Sequence, residues 1–119
     1  MKEPLKIKSY EFSILIVGCC DTLQLKREYI LSKQLLKSGT AICALYREAQ
    51  YAESRADFIH KLAIAQKECN ETIYWLELCR DSGKVDQEHS TCLIFKATEL
   101  LKIITSIIRS SKKKLNTNN

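Results

Sequence analysis

Two short stretches of this chain carry the residue types of metal chemistry. Asp57 and His60, and again Asp86 and His89, stand three positions apart, a spacing that one helical turn converts into two side chains on one face. A carboxylate-bridged metal pair inside a helical bundle needs two Glu-x-x-His elements and two further inward Glu, so these are only its nearest relatives here. Each pair falls at the start of an expected helix. With the third and fourth helices running in opposite directions, those starts lie about 35 Å apart for ~24 residues at 1.5 Å each. The two pairs therefore cannot share one ion within a chain, and Asp57 and Asp86 read instead as charges complementing helix N-termini. No metal or cofactor is assigned.

Other catalytic chemistry finds no better footing. The six cysteines, Cys19, Cys20, Cys43, Cys69, Cys79 and Cys92, form no CxxC, and most fall on apolar faces where Cys serves as a small hydrophobe. Neither histidine accompanies a Ser or Cys in a strand-turn-helix setting, no Gly-rich phosphate loop is present, and no paired carboxylates mark a cleft. The expectation is a protein that is not an enzyme.

The basic side chains gather in two groups, Lys2, Lys6 and Lys8 at one end of the chain and Arg109, Lys112, Lys113 and Lys114 at the other. In an up-down arrangement of four helices both termini lie at the same end, so the groups would make one patch suited to phosphate backbones. The plainer reading is a lysine run that keeps the protein soluble. The net charge of +5 and pI near 8.9 permit a polyanionic partner without demanding one. With no recognition helix, zinc finger or aromatic RNA-binding strand, contact with RNA or DNA would be to backbone or shape.

These residues must be positioned by helices. One Pro and three Gly in 119 residues with 45% apolar content favour long uninterrupted helices in one domain. Leu35, Leu36, Gly39, Ile42, Cys43, Tyr46 and Ala49 recur at steps of three and four, as do Phe58, Leu62, Ala65, Cys69, Ile73, Leu76 and Cys79. Between them Ser54, with Asp57 three residues later, resembles a capping box. Gly39 inside the second helix costs about 0.5–1 kcal/mol relative to Ala, which points to close approach of a neighbour or to a kink. Gly83 stops the third helix and Asp86 caps the fourth, whose stripe is Leu93, Ala97, Leu100, Leu101, Ile104, Ile107 and Ile108.

The first segment, Tyr10 to Cys20, contains Ser13-Ile14-Leu15-Ile16-Val17, which periodicity alone leaves open between strand and helix. Helix is chosen because no second strand exists to pair with it. Residues 1–8 read as an extended basic lead-in ending at a Ser9 cap, 9–110 as the four-helix domain, and 111–119 as a disordered basic and polar tail. Asp21 to Leu25 reads as the first connection, with the second helix beginning at Lys26.

The span QLLKSGTAICALYREAQYAESRADFIHKLAIAQKECNETIYWLEL, Gln34 to Leu78, resembles the signature of the 23S rRNA-intervening sequence protein family. Shared positions include Ser38, Gly39, Thr40, Arg47, Glu48, Ala49, Ser54, Asp57, Phe58, Glu71, Thr72, Tyr74, Trp75 and Leu76. Cys43 and Leu45 stand where the family pattern has Gly and Asn. The resemblance implies an antiparallel up-down-up-down four-helix bundle assembled into a ring-like homopentamer. It also implies a link to nucleic acid, since similar proteins are encoded within intervening sequences of large-subunit rRNA genes and related bundles assist a reverse transcriptase.

Independently of that resemblance, the first and fourth helices carry more apolar surface than one seam needs, which suggests contact with another subunit. Phe12, Ile16, Tyr46, Arg47, Glu48 and Phe95 are the residues assigned to such an interface. Arg47 and Glu48, facing Lys67, Glu68 and Glu71, read equally as solvated ion pairs and as charges buried at a subunit boundary. No secretory arrangement opens the chain and no run approaches the ~20 apolar residues of a membrane span. The expectation is a cytoplasmic location with free thiols. A non-enzymatic scaffold that binds nucleic acid is the leading reading, and a protein-protein interaction scaffold with no nucleic acid is the alternative.

Overall fold

The computed structural model describes residues 3–117. Within them lie four helices and no strand: α1 (Pro4–Leu25), α2 (Tyr29–Ala49), α3 (Arg55–Asp81) and α4 (Gln87–Thr117). Each helix packs on the next, and α4 touches α1 more sparingly. Ile16 meets Gly39 and Cys20 meets Ser32 between α1 and α2. Ser38 meets Thr72 and Glu48 meets Lys61 between α2 and α3. Gln66 meets Thr105 between α3 and α4.

The core follows the apolar period with small phase shifts. Leu35, Ile42, Tyr46, Leu62, Ala65, Cys69, Leu76, Leu93, Ala97, Leu100 and Ile104 are buried. Leu36 turns outward, and on α3 Phe58 and Ile73 are half-buried while Ile59 and Thr72 face inward. Gly39 marks close approach: a Cβ there would lie 2.9 Å from both Cγ1 and Cγ2 of Ile16. Every buried side-chain polar atom among the described residues has a hydrogen-bond partner, as buried polar groups require.

The structure corrects the expected ends of three helices. Residues 4–8 are helical, not an extended lead-in, because Pro4 occupies the first helical turn, where its fixed φ and missing N–H cost nothing. Ser9 is no cap; it is buried and its hydroxyl donates to the Lys6 carbonyl at 3.3 Å. Asp21 to Leu25 likewise continues α1, held by fully buried Leu23, and the chain reverses at Lys26 to Glu28 through Arg27 at φ 63°. At the other end α4 continues through residues 111–117, where disorder was expected. Ser111 is buried and Leu115 packs against the core, which holds this stretch to the bundle. Residues 118 and 119 of that expected tail lie outside the described residues.

Two expected caps are present. Ser54 accepts the Asp57 N–H at 3.1 Å, while the Asp57 carboxylate accepts from Glu53 N–H at 3.2 Å. Asp86 accepts the His89 N–H at 2.7 Å. Gly83 takes φ 73°, and Lys84 N–H reaches back to the Cys79 carbonyl at 2.9 Å, closing α3.

Candidate functional site

The most strongly charged surface is the C-terminal half of α4. Lys102, Arg109, Lys112, Lys113 and Lys114 are all exposed, and no Asp or Glu stands between Glu99 and Asn119. Continued helix fixes their spacing: Lys102, Arg109 and Lys113 share one outer face, and the last three lysines complement the negative end of the dipole. Ser110, Lys113, Lys114 and Thr117 line a shallow depression of about 410 Å³. A helix presenting ammonium and hydroxyl donors without competing carboxylates can hold a row of anionic oxygens.

The N-terminal lysines contribute less than expected. Lys2 lies outside the described residues. Lys6 is exposed on the first turn of α1, whereas Lys8 donates to Glu99 at 2.9 Å, a pairing that holds the Glu99 carboxyl below its usual range. Glu99 precedes Lys112 by 13 residues, about 20 Å along the helix. Lys8 is thereby partly neutralised and set apart from the lysine run.

The residues assigned to a subunit boundary are scattered by the structure. Phe12 and Ile16 are corrected: both are fully enclosed in the chain's own core, because they share the inward face of α1 with Leu5, Ser9, Cys19 and Leu23. The exposed large apolar residues of α1 are Ile7, Tyr10, Ile14 and Val17 on the opposite face, Leu15 at its edge and Leu25 at its last position. Tyr46 is buried and donates to Glu3 Oε1 at 3.0 Å; burial foremost, then Glu3, pushes its pKa up to about 12. Arg47 lies over the Tyr10 ring at 5.3 Å, Glu48 meets Lys61 at 3.8 Å on the surface, and Phe95 is 73% exposed. Glu71 accepts from the Trp75 indole at 3.1 Å. Between α1 and α4 a groove of about 320 Å³ is lined by Phe12, Ile14, Leu15 and Leu100, with Lys8 and Glu99 on its rim.

Metal and thiol candidates are equally dispersed. His60 and His89 are exposed, and among the described residues no group of three or more His, Cys, Asp or Glu could hold a metal ion. Cys19, Cys20, Cys43, Cys69 and Cys79 are buried free thiols and Cys92 is an exposed one. Burial pushes Cys19 and Cys69 up to about 12 and Cys20 up to about 11. Among the described residues no helix is long and apolar enough to cross a membrane.

A sequence profile described as 23S rRNA-intervening sequence protein matches residues 5–106. The chain belongs to that family. Its fold is similar to a crystal structure of a protein of unknown function from the S23 ribosomal protein family of Bacteroides thetaiotaomicron VPI-5482. The two are 47% identical with a TM-score of 0.86, over 87% of this chain and 97% of that one. No curated protein matches. The family match ends before Arg109, so the cationic end of α4 lies beyond the segment that defines membership.

Sequence reasoning missed Lys102, Ile7, Tyr10, Ile14 and Val17. The absence of acids after Glu99 was a readable signal for the first. The outer face of α1 needed the phase of the helix, which a segment apolar on both sides conceals.

Proposed function

We propose that this 23S rRNA-intervening sequence protein is a non-enzymatic cytoplasmic scaffold that binds RNA or DNA through backbone charge. In this reading the four helices form an antiparallel up-down-up-down bundle, and copies assemble into a ring-like homopentamer that multiplies the cationic surface. The observation that carries it is the end of α4, where Arg109, Lys112, Lys113 and Lys114 stand exposed on helix with no Asp or Glu of α4 after Glu99. A disordered tail of the same composition would spread its charge through solvent; a helix presents it at fixed spacing, ready for phosphates. The family name, which refers to an intervening sequence of an rRNA, agrees with such a partner.

The alternative, a protein-protein scaffold with a partner such as a reverse transcriptase, draws on the exposed Ile7, Tyr10, Ile14 and Val17 face. Salt titration separates the two. Filter binding to structured RNA and to duplex DNA should be detectable at 50 mM salt and fall steeply as salt rises. Changing Lys112, Lys113 and Lys114 to Ala together should weaken binding about tenfold or more and flatten the salt slope by roughly two to three units. No binding at low salt would leave the protein-partner reading standing alone.

A further inference from the structure

Among the described residues Tyr51 is the most exposed large hydrophobic side chain, at 90%. It sits in the turn between α2 and α3, its own N–H bonded to the Glu48 carbonyl at 3.0 Å and the following N–H, of Ala52, to the Ala49 carbonyl at 3.1 Å. The ring is thus carried on a tied backbone, yet it covers little of the protein. Turn geometry gives no reason for an aromatic there, since such positions favour Gly, Asn, Asp or Ser.

What surrounds that turn gives the ring a context. Gln66 on α3 is bonded to Thr105 on α4 at 3.0 Å. Further along α3, Cys69 meets the carbonyl of Ala97, earlier on α4, at 3.1 Å, so going back along α3 and on along α4 leads to the same end. Eleven residues back along α3 is Arg55, three turns away on the same flank, at about 16 Å; seven residues on along α4 is Lys112, two turns away on the matching flank, at about 10 Å. Arg55 therefore lies between the Tyr51 turn and the lysine run, and the whole molecule is only 24 × 21 Å in cross-section. The nearby acids are in part engaged: Asp57 accepts Glu53 N–H and Glu48 meets Lys61. On the other side of the turn, Arg47 one turn earlier lies over Tyr10, a second half-exposed ring. Arg55, Lys112 and Lys113 are exposed at this end, as is Glu53, two residues from the ring.

We infer that this end of the molecule holds an unpaired nucleotide, its base stacked on Tyr51 and its flanking phosphates met by Arg55, Lys112 and Lys113. The inference rests on the nucleic-acid reading above and narrows it from any phosphate backbone to a strand with splayed bases. Inside a duplex every base is covered on both faces and only the terminal pair of a blunt end shows one, whereas loops, bulges and single strands offer splayed bases. Stacking accepts any base, so the site would select for strand state without reading sequence.

The test uses the full chain with four probes: RNA and DNA hairpins carrying 2-aminopurine in an unpaired loop, and blunt RNA and DNA duplexes of the same stem. The hairpins should bind about tenfold more tightly than the duplexes, with quenching of the loop fluorophore on binding. Tyr51→Ala should collapse that advantage and the quenching, and Tyr51→Phe, which keeps the ring, should retain both. Because Tyr51 is so exposed, folding of either variant is checked simply by circular dichroism. If the duplexes bind as tightly as the hairpins and Tyr51→Ala changes nothing, while the triple lysine substitution still weakens binding, this inference falls and the backbone reading survives. If no probe binds, both fall.

Discussion

At Gly39 the absence of a side chain is what lets α1 settle on α2. A methyl group placed there meets both γ-carbons of Ile16 at 2.9 Å, atoms near the root of a β-branched side chain that cannot swing clear. Gly39→Ala should therefore lower stability by about 1–2 kcal/mol, the crowding outweighing the better helix propensity of Ala; an unchanged urea midpoint would contradict this. The sequence had posed a choice between close approach and a kink at this residue, and contact geometry decides for the former. The thiols supply a second test. Cys19 and Cys69 hold their protons to about pH 12 in the folded chain, against an ordinary thiol value of 9.0. Between those limits the unfolded state binds fewer protons, so the contribution is full below pH 9 and is lost as pH rises toward 12. Denaturation midpoints should fall over that window. A thiol reagent at pH 8 should meanwhile modify only Cys92 rapidly in the native protein and all six cysteines after unfolding.

Helix ends separate what is legible from what is not. Ser54, Gly83 and Asp86 announce their roles, because caps and left-handed stops have strong residue preferences. The turn between α1 and α2 carries no such signal: its left-handed residue is Arg27, φ 63°, a conformation that costs a side-chain-bearing residue about 1–2 kcal/mol. The turn is closed locally, by Glu28 N–H on the Leu23 carbonyl and Arg27 N–H on the Gln24 carbonyl, both at 2.9 Å, and is tied to the α3–α4 connection by Lys26 donating to the Lys84 carbonyl at 2.8 Å and Lys84 pairing with Glu28 at 2.8 Å. Arg27→Gly should raise stability by about 0.5–1 kcal/mol in chemical denaturation, and a loss would show that the Arg side chain has a role not visible here. The same logic explains the α4 extension. Composition after Arg109 reads as disorder, whereas the burial of Ser111 and the packing of Leu115 against the core are tertiary contacts that composition does not show. The Gln34 to Leu78 signature was legible for the family because so many of its positions serve a shared packing scheme; the cationic surface lies outside the matched segment.

For the molecule as a whole, the unexplained surface is the outer side of α1. Ile7, Tyr10, Ile14 and Val17 expose about half of themselves, and a helix apolar on two sides is ordinarily covered on both. If copies of the chain meet there, Ile14→Glu with Val17→Glu should reduce the mass seen by light scattering to that of one 13.7 kDa chain while leaving helix content intact. An unchanged mass above the monomer would place the contact elsewhere, and a wild-type monomer in dilute solution would remove the ring altogether.

The fit between positions 16 and 39 carries an implication for descent. Where a sequence of this lineage has gained bulk at the second site, the first should have become smaller in compensation, and the reverse trade should be rare while the branched residue persists. Such paired change, sought among relatives, would record in their divergence the same steric limit that is met here in a single molecule.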